Sequence, residues 1–383
     1  MLYVTSLEDP WVGYTQAALH WMMSLLRAGY TDFQWQPLGG RLMYWDLMPA
    51  WCRDLSTYRP STPDTRKVAL IHHLPSNIVM PMARFGEKAN LGIAISETET
   101  IPRWLGVRMN QLSGLITSTG WNQQALARSG VTVPIHVVPH AFGDFWWRDG
   151  AGEELPVTPT RVRGPGDPFV FYYVGTANER KNPEGVLRAF LRAFPKQTEE
   201  VALALKLTVN VGTENLIEEI VRAETGSTSR IERGGDIWLW PERWGEAQIR
   251  WLHHEVGDCY VSLHRGEGWG YSLMQAAMLG KPVIYTDYSA PTDYLASAAG
   301  DVPIPFETTD CHMDVDYARV VVGKPLQWAE PNLDAAVEAM RQMAARAQQG
   351  QVSRDPEETA RLRHDYCWET VGAALAKVVE SYK

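Results

Sequence analysis

The chain has 383 residues, more than one hydrophobic core normally supports, and 45% of them are hydrophobic, so we expect two packed domains. Charged residues make up 21%, and no long low-complexity tract occurs, which excludes large-scale disorder. The net charge of −9 argues against a broad cationic surface for nucleic acid or anionic lipid, but it leaves a local basic groove open.

The start of the chain and the cysteines bear on its location. The first residues do not resemble an export signal, and no stretch reaches about 18 uninterrupted apolar residues, so we expect no export, no membrane span and a cytoplasmic location. Cysteines stand far apart, at Cys52, Cys259, Cys311 and Cys367, which predicts reduced, buried thiols rather than disulfides or a zinc site.

Strand-like and helix-like stretches alternate through the first half. The predicted strands are 2–6, 67–72, 90–95, 114–117 and 135–138, and the predicted helices are 15–27, 102–110 and 121–129. Alternation of this kind predicts a parallel sheet covered by helices.

A stretch rich in Gly and Pro then separates this half from a second alternating series. The second series has predicted strands at 169–174, 202–209, 236–239, 259–263 and 283–285, and helices at 183–194, 214–223, 246–254, 271–279, 332–348 and 357–381. Residues 301–330 are predicted to be irregular. We therefore assign a first domain to 1–155, a linker to 156–168, a second domain to 169–355 and a C-terminal helix to 356–383.

One glycine-rich segment, residues 264–272, lies between a predicted buried strand and a helix. Its sequence is His-Arg-Gly-Glu-Gly-Trp-Gly-Tyr-Ser. Glycines allow a backbone to approach a ligand closely, and the N–H groups at a helix start favour an anion such as a diphosphate. Glu267 would accept hydrogen bonds from sugar hydroxyls. The alternative is a tight turn with an exposed glutamate.

A second strand-to-helix segment, residues 175–183, has Asn182 as its predicted N-cap and Pro183 in the first turn. Such loops in a parallel sheet emerge at the carboxyl edge, so Lys181 and Glu267 are predicted to converge. Lys181 would then stabilise the charge of a leaving diphosphate. The alternative is a solvated Arg180–Lys181 pair.

These segments, with others in the same order along the chain, resemble retaining glycosyltransferase family 4. The matching stretches are 97–102, 117–122, 129–131, 137–140, 171–183, 265–270, 274–284 and 289–295, with a weaker likeness at 328–331. The resemblance covers about residues 90 to 300. Each motif is modest by itself, and their common order makes the resemblance specific.

The resemblance implies an α/β protein of GT-B architecture, with two facing Rossmann-like, doubly wound parallel-sheet domains and a C-terminal helix that crosses back to the first. It implies a nucleotide-diphosphate sugar as co-substrate, no bound cofactor or catalytic metal, and transfer of a hexose or pentose with retained configuration. By the same resemblance, Glu267 contacts the donor sugar, and the backbone of Gly268, Trp269, Gly270 and Tyr271 holds sugar hydroxyls and phosphate.

The sequence departs from the family pattern at two positions. Gln275 stands where the family has a second Glu that holds the ribose, and a neutral amide can still donate and accept there. Thr176 replaces a phosphate-binding Arg of the family, and Arg180 is predicted to supply the missing charge. Lys181 matches the family's phosphate-binding Lys.

The resemblance also implies an active-site histidine after a strand of the first domain. His72 and His73 are both candidates, with side chains pointing to opposite faces if the backbone is extended, and we choose His73 because it is nearer the loop. A core or surface imidazole is the alternative. Gly13 is predicted to form the close-approach turn before the first helix, where it would contact the donor.

Metal binding is not expected at residues 314–316, although Asp-Val-Asp has the form of a cation-binding motif, because the segment lies outside both predicted sheets. The 16 Trp residues suit a core or a stacking wall for sugars, the tryptophan-rich 35–51 and 145–147 being candidates for either.

The nucleotide, whether UDP, GDP or ADP, and the acceptor are not predicted. A glycan, a glycoconjugate or a small molecule is favoured, and a hydroxylated base in DNA is disfavoured by the acidic balance. A non-catalytic sugar- or nucleotide-binding protein, a sugar-nucleotide epimerase and a phosphorylase share the architecture, although we find no cofactor lysine region of a phosphorylase.

Overall fold

A computed structural model of the chain describes residues 1–5, 13–37, 50–58, 67–73, 88–148, 166–197, 199–208, 213–232, 234–311 and 325–383. These residues divide into two compact units. The first unit takes the described residues up to Asp144, residues 325–327 and Arg363–Lys383, and the second takes those from Phe145 to Cys311 and Trp328–Leu362. Each unit has its own parallel sheet, as the alternation of strands and helices predicts.

The first sheet has six strands within the described part of the chain, and all its pairs are parallel. They are β1 (Leu2–Thr5), β2 (Gln34–Pro37), β3 (Val68–His72), β4 (Ala89–Ile93), β5 (Gly114–Thr117) and β6 (Ile135–Val137). The order β2-β1-β3-β4-β5-β6 reverses between β1 and β3. Periodicity does not predict β2. Its pairing depends on a tertiary contact, since buried Trp35 donates from Nε1 to Thr5 Oγ1 at 2.8 Å.

Three helices of the first unit precede residue 144. They are α1 (Gly13–Arg27), α2 (Arg103–Met109) and α3 (Gly120–Arg128). A 3₁₀ segment covers Ala50–Tyr58. α3 begins at Gly120 because the side chain of Thr119 accepts a hydrogen bond from the Asn122 N–H.

The second sheet also has six strands in the residues that the structure describes, paired in parallel. They are β7 (Phe169–Thr176), β8 (Val201–Thr208), β9 (Ile237–Trp240), β10 (Cys259–Ser262), β11 (Val283–Thr286) and β12 (Val302–Ile304). Their order is β12-β11-β10-β7-β8-β9, so it reverses between β7 and β10. Ligands bind outside the carboxyl ends of the strands at such a reversal in open parallel sheets.

The helices of the second unit cover this sheet. They are α4 (Pro183–Ala193), α5 (Thr213–Thr225), α6 (Glu246–Trp251), α7 (Tyr271–Met278) and α8 (Leu333–Gln348). Buried side chains of the sheet, such as Phe171 and Leu205, form one hydrophobic core with Phe190 of α4 and Met340 of α8. α6 continues as a π-helical turn over Leu252–Val256.

The prediction that residues 301–330 are irregular is wrong for the described part of that stretch. β12 extends the sheet beside β11, and β13 (Phe306–Asp310) pairs with β14 (Gln327–Pro331). β12 contains Pro303 and β13 is mostly polar, so apolar patterning does not identify them and their partners decide whether they form. The Asp-Val-Asp segment at 314–316 lies outside the described residues.

The C-terminal residues form two helices rather than the single helix predicted over 357–381. They are α9 (Pro356–Asp365) and α10 (Trp368–Glu380). The break occurs at Tyr366, whose carbonyl accepts a hydrogen bond from the Phe142 N–H at 2.8 Å, and at Cys367, whose backbone is extended. The Tyr366 carbonyl therefore accepts a tertiary hydrogen bond instead of the helical one that it would accept in a continuous helix.

α10 packs on α1 of the first unit. The chain approaches so closely at Gly372 that a Cβ there would overlap the Ser24 carbonyl oxygen. Trp368 also donates from Nε1 to His20 Nδ1 at 3.0 Å. The predicted return of the C-terminal helix to the first domain is confirmed.

The four cysteines are free, but only Cys52 and Cys259 are buried, so the expectation of buried thiols is half right. No helix in the described ranges combines the length and apolarity needed to cross a bilayer.

Candidate active site

Two loops leave the second sheet at its reversal point. One follows β7 and runs to α4, and the other follows β10 and runs to α7. β7 and β10 are hydrogen-bonded neighbours, so both loops emerge side by side at the carboxyl edge. This edge is where the sequence predicts a diphosphate pocket.

The loop after β7 is fixed by Asn182, which has a left-handed backbone with φ 50°. Its side-chain oxygen accepts a hydrogen bond from the Gly185 N–H at 3.0 Å, which caps α4 as predicted. Its amide nitrogen donates to the Leu263 carbonyl at 2.8 Å, and the Arg265 N–H donates to the Arg180 carbonyl at 2.8 Å. One side chain thus caps a helix and joins the two loops.

The loop after β10 is held by Ser289, which lies in the segment that follows β11. The Glu267 N–H donates to Ser289 Oγ at 2.9 Å, and the Ala290 N–H donates to the Glu267 carbonyl at 3.2 Å. Ser289 is fully buried and has φ 65°, a left-handed backbone that a residue with a Cβ adopts at a cost. The backbone of Glu267 is therefore set by contacts on both its N–H and its carbonyl.

The charged side chains of the two loops meet. Lys181 Nζ lies 2.5 Å from Glu267 Oε1, and Arg180 Nη1 lies 3.4 Å from Glu267 Oε2. Arg180 Nη1 also donates to the Gly266 carbonyl at 2.8 Å. The predicted convergence of Lys181 and Glu267 is confirmed, and the solvated Arg180–Lys181 pair of the alternative is not observed.

Glu267 is buried yet ionised. Burial alone would raise its pKa, but the Lys181 ammonium and the Arg180 guanidinium outweigh burial and lower the pKa to about 2. Two cations around one carboxylate leave the cluster with a net positive charge at neutral pH. Such a cluster attracts an anion and keeps a carboxylate available as a hydrogen-bond acceptor.

The glycine-rich turn ends in a left-handed Gly270 with φ 88°, directly before α7. A Cβ at this position would stand 2.9 Å from both Leu273 Cδ1 and the Tyr294 hydroxyl. The Tyr294 hydroxyl donates to the Trp269 carbonyl at 2.6 Å. Gly268 and Trp269 are buried, so this turn is a packed structure and not a loose surface loop.

α7 then carries the last two predicted donor-site residues. Tyr271 is its first residue, and burial raises the pKa of the Tyr271 hydroxyl well above its usual value, so the phenol stays neutral. Gln275 follows one turn later on the same side of the helix and is buried.

The two remaining predicted residues belong to the first unit. Gly13 is the exposed first residue of α1. His73 follows β3 and is half-buried, whereas His72 is buried and shares a hydrogen bond of 3.0 Å between its Nδ1 and the Tyr3 hydroxyl. Gly13 and His73 therefore lie in the first unit, whereas the cluster of Lys181 and Glu267 lies in the second.

Three residues support the cluster without having been assigned a role from the sequence, namely His264, Ser289 and Tyr294. Burial lowers the pKa of His264 to about 4, and the neutral ring lies 3.1 Å from Ser262 Oγ and 3.2 Å from the Tyr288 carbonyl. Ser289 acts on Glu267 from 22 positions away. No local pattern reports such a contact.

Of the tryptophan-rich stretches, Trp35 and Trp146 are core residues. Trp51 is half-buried and stacks on His20 with ring centres 4.5 Å apart. Residues 38–49, in the middle of the stretch 35–51, lie outside the described residues.

A scan of the sequence against protein-family models finds no match, and a search of curated proteins finds none either. Solved structures do match. A structure of Anabaena HepE in complex with UDP and glucose has a TM-score of 0.67 and 10% identity, with 99% of each chain covered. Sucrose-phosphate synthase from Thermosynechococcus elongatus has a TM-score of 0.67 and 11% identity over 99% of this chain and 98% of that one.

A third match covers less of its partner. TarM from S. aureus, in complex with fondaparinux, alpha-GlcNAc-glycerol and UDP, has a TM-score of 0.53 and 12% identity over 82% of this chain and 55% of that one. These likenesses, together with the two six-stranded parallel sheets, show that the chain has the α/β fold of GT-B proteins.

Proposed function

We propose that the chain is a retaining glycosyltransferase of family 4 that moves a hexose or pentose from a nucleotide-diphosphate sugar to an acceptor hydroxyl without a catalytic metal. The observation that carries the proposal is the cluster of Lys181, Arg180 and Glu267 at the reversal point of the second sheet. Positive charge suits a diphosphate there, and the ionised carboxylate suits a sugar.

The diphosphate would bind between Lys181 and the start of α7. Lys181 is the more accessible of the two cations, with 25% of its side chain exposed against 12% for Arg180. Lys181 would therefore contact the phosphate oxygens directly, while Arg180 stays on the Gly266 carbonyl and adds to the field. The first N–H groups of α7 point out of a turn that Gly270 shapes, and they favour the same anion.

Glu267 would hold the sugar. With a pKa of about 2 its carboxylate is ionised at any physiological pH, so it accepts hydrogen bonds from sugar hydroxyls and donates none. Lys181 forms an ion pair with this carboxylate. A bound diphosphate would compete for Lys181 and release one carboxylate oxygen for the sugar.

The reaction that fits these groups is front-face substitution. The bond between sugar C1 and the phosphate oxygen breaks, the acceptor oxygen bonds to C1 on the same face, and the acceptor proton passes to the departing phosphate. Lys181 and the α7 N–H groups would offset the charge that grows on the leaving group, each such donor being worth about 3 kcal/mol.

The nucleotide we propose is UDP, because UDP stands in the complexes of both HepE and TarM. Gln275 would hydrogen-bond the ribose hydroxyls through its amide. For the acceptor we propose a glycan or glycoconjugate, in line with the fondaparinux and alpha-GlcNAc-glycerol bound to TarM. A DNA acceptor is disfavoured by the net charge of −9.

Thermal shift with nucleotides in the presence of EDTA tests the donor site. We expect UDP to raise the Tm more than GDP or ADP, and UMP to raise it least, because it lacks the second phosphate. Incubation with UDP-sugars should then show slow release of free sugar. If UDP binds without any sugar release or transfer, the chain is a binding protein; if no diphosphate shifts the Tm, the proposed site is wrong.

A further inference from the structure

α2 presents an apolar and basic face to solvent. Trp104 and Val107 are 40% and 53% exposed, and they are two of only four large hydrophobic residues found exposed in the described part of the chain. Positions three and four apart share a helix face, so Trp104, Val107 and Arg108 lie together, with Arg103 beside Val107. Both arginines are exposed.

This face cannot turn inward, because the other side of α2 is firmly docked. Leu105 and Met109 are buried, and a Cβ at Gly106 would overlap the Ser129 carbonyl oxygen, so α2 touches the end of α3 through its backbone. Asn110, which follows α2, donates to the Gly130 carbonyl at 2.9 Å and accepts from the Thr132 N–H at 2.7 Å. The exposure of Trp104 is thus fixed by the fold.

This face is basic, whereas the chain as a whole is acidic. The chain carries a net charge of −9, yet the seven residues of α2, Arg-Trp-Leu-Gly-Val-Arg-Met, include two arginines and no acidic residue. At the end of α3, to which α2 is docked, Arg128 is exposed as well and donates to the Glu99 carbonyl. An anionic surface is therefore the complementary partner.

We propose that this α2 face, formed by Arg103, Trp104, Val107 and Arg108, binds an anionic lipid bilayer at its headgroup level. A tryptophan flanked by arginines suits that boundary, since the indole enters the headgroup region while the guanidinium groups pair with lipid phosphates. With one short helix the attachment is reversible and sensitive to salt. The inference is independent of the proposed transferase activity.

The exposed face of α5 offers a matched contrast. Leu216 is 37% exposed, but Glu219, three positions on and on the same face, is exposed as well, so this face would be repelled by the same bilayer. Leu216→Ala and Arg222→Ala on α5 remove an exposed apolar group and an exposed arginine from the other unit. They serve as controls for Trp104→Ala and for the pair Arg103→Ala with Arg108→Ala.

Flotation of the full chain with vesicles tests the proposal. The wild type should float with vesicles of equal parts phosphatidylcholine and phosphatidylglycerol and stay behind with phosphatidylcholine alone. Loss of both arginines should lower the bound fraction about tenfold or more, and Trp104→Ala several-fold, with both controls unchanged. Circular dichroism would establish that each variant is folded.

Two results would overturn the proposal. One is wild-type chain that fails to float with the anionic vesicles, which would make an acidic protein surface the better candidate occupant. The other is binding that both α2 variants retain in full, which would place lipid contact elsewhere on the molecule.

Discussion

The two sheets reverse their strand order in the same way, but their reversal points differ in chemistry. Between β7 and β10 the second unit gathers fixed charges, with Lys181 and Arg180 around Glu267. Between β1 and β3 the first unit gathers neutral rings, where His72 shares a hydrogen bond with Tyr3.

The rings near β1 and β3 are held uncharged by burial. Burial lowers the pKa of His20 and of His140 to about 3, and it lowers that of His72 well below the usual value, with His140 adding to the effect on both His20 and His72. Trp21 packs between His72 and His140, with ring centres 5.7 and 5.4 Å away.

The difference shows two ways of burying an ionisable group. The second unit keeps its carboxylate charged by pairing it with two cations, whereas the first unit keeps its imidazoles neutral. A charged edge suits phosphate, and a neutral edge suits hydroxyl groups that exchange single hydrogen bonds. Substitutions in either unit test this difference.

The largest expected effect comes from removing charge at the second reversal point. Lys181→Ala should weaken UDP binding by roughly tenfold to a hundredfold, because a hydrogen bond to a charged group contributes about 1.5–3 kcal/mol. His73→Ala should leave UDP affinity unchanged and lower turnover about tenfold, as expected of a group that orients a hydroxyl. Calorimetric titration and an initial-rate assay measure the two quantities.

Lys196→Ala, an exposed lysine of the same unit, is the control for Lys181→Ala. Equal loss of UDP affinity in the Lys181 and His73 variants would contradict the proposed difference between the reversal points of the two sheets.

A smaller effect is expected from the glycine at the start of one helix in each unit. Gly270→Ala forces a Cβ into a left-handed backbone against Leu273 and Tyr294, which should destabilise the protein by about 1–2 kcal/mol. Gly13→Ala adds an exposed methyl group at the start of α1 and should change stability by less than about 0.5 kcal/mol. Urea unfolding followed by circular dichroism compares the stability of the two variants. Similar losses of stability would show that the left-handed backbone at Gly270 does not require a glycine.

The last expected effect concerns acid stability. Burial lowers the pKa of His140 from its usual 6.5 to about 3 in the folded protein, so the unfolded chain takes up the proton first. Its contribution to stability is complete above pH 6.5 and is lost as the pH falls toward 3. Replacing it by His140→Gln should flatten the pH dependence of the unfolding free energy by about 1.4 kcal/mol per pH unit in that window.

Glu267 responds in a different window. Its pKa falls from 4.5 to about 2 on folding, so its contribution is complete above pH 4.5 and is lost as the pH drops toward 2. Urea titrations between about pH 7 and pH 5 should therefore distinguish His140→Gln from wild type but show no change of slope for Glu267→Gln. Parallel slopes for wild type and His140→Gln would mean that His140 is not held neutral.

Much of this arrangement could be predicted from local patterns, and the reason is visible in the loops. Asn182 and Pro183 start α4 through contacts with neighbours in the sequence. Parallel strands place their following loops at one edge of the sheet, so the contact between Lys181 and Glu267 is predictable. Contacts between distant residues are different. Ser289 reaches Glu267 only because β11 lies beside β10, and no property of a lone serine reports that pairing.

The same reason explains the errors. The break between α9 and α10 depends on Phe142, and the strand β12 depends on its neighbour β11. In both cases the deciding partner lies outside the short window over which local propensity acts, and local propensity yields to it.

The packing of α10 on α1 has a consequence for biosynthesis. His20 and its hydrogen-bond partner Trp368 are separated by 348 positions, and the whole of the second unit is translated between them. The face of α1 that α10 covers therefore has no partner until the C-terminal residues have been synthesised, so the first unit completes its packing only after the second unit has been made.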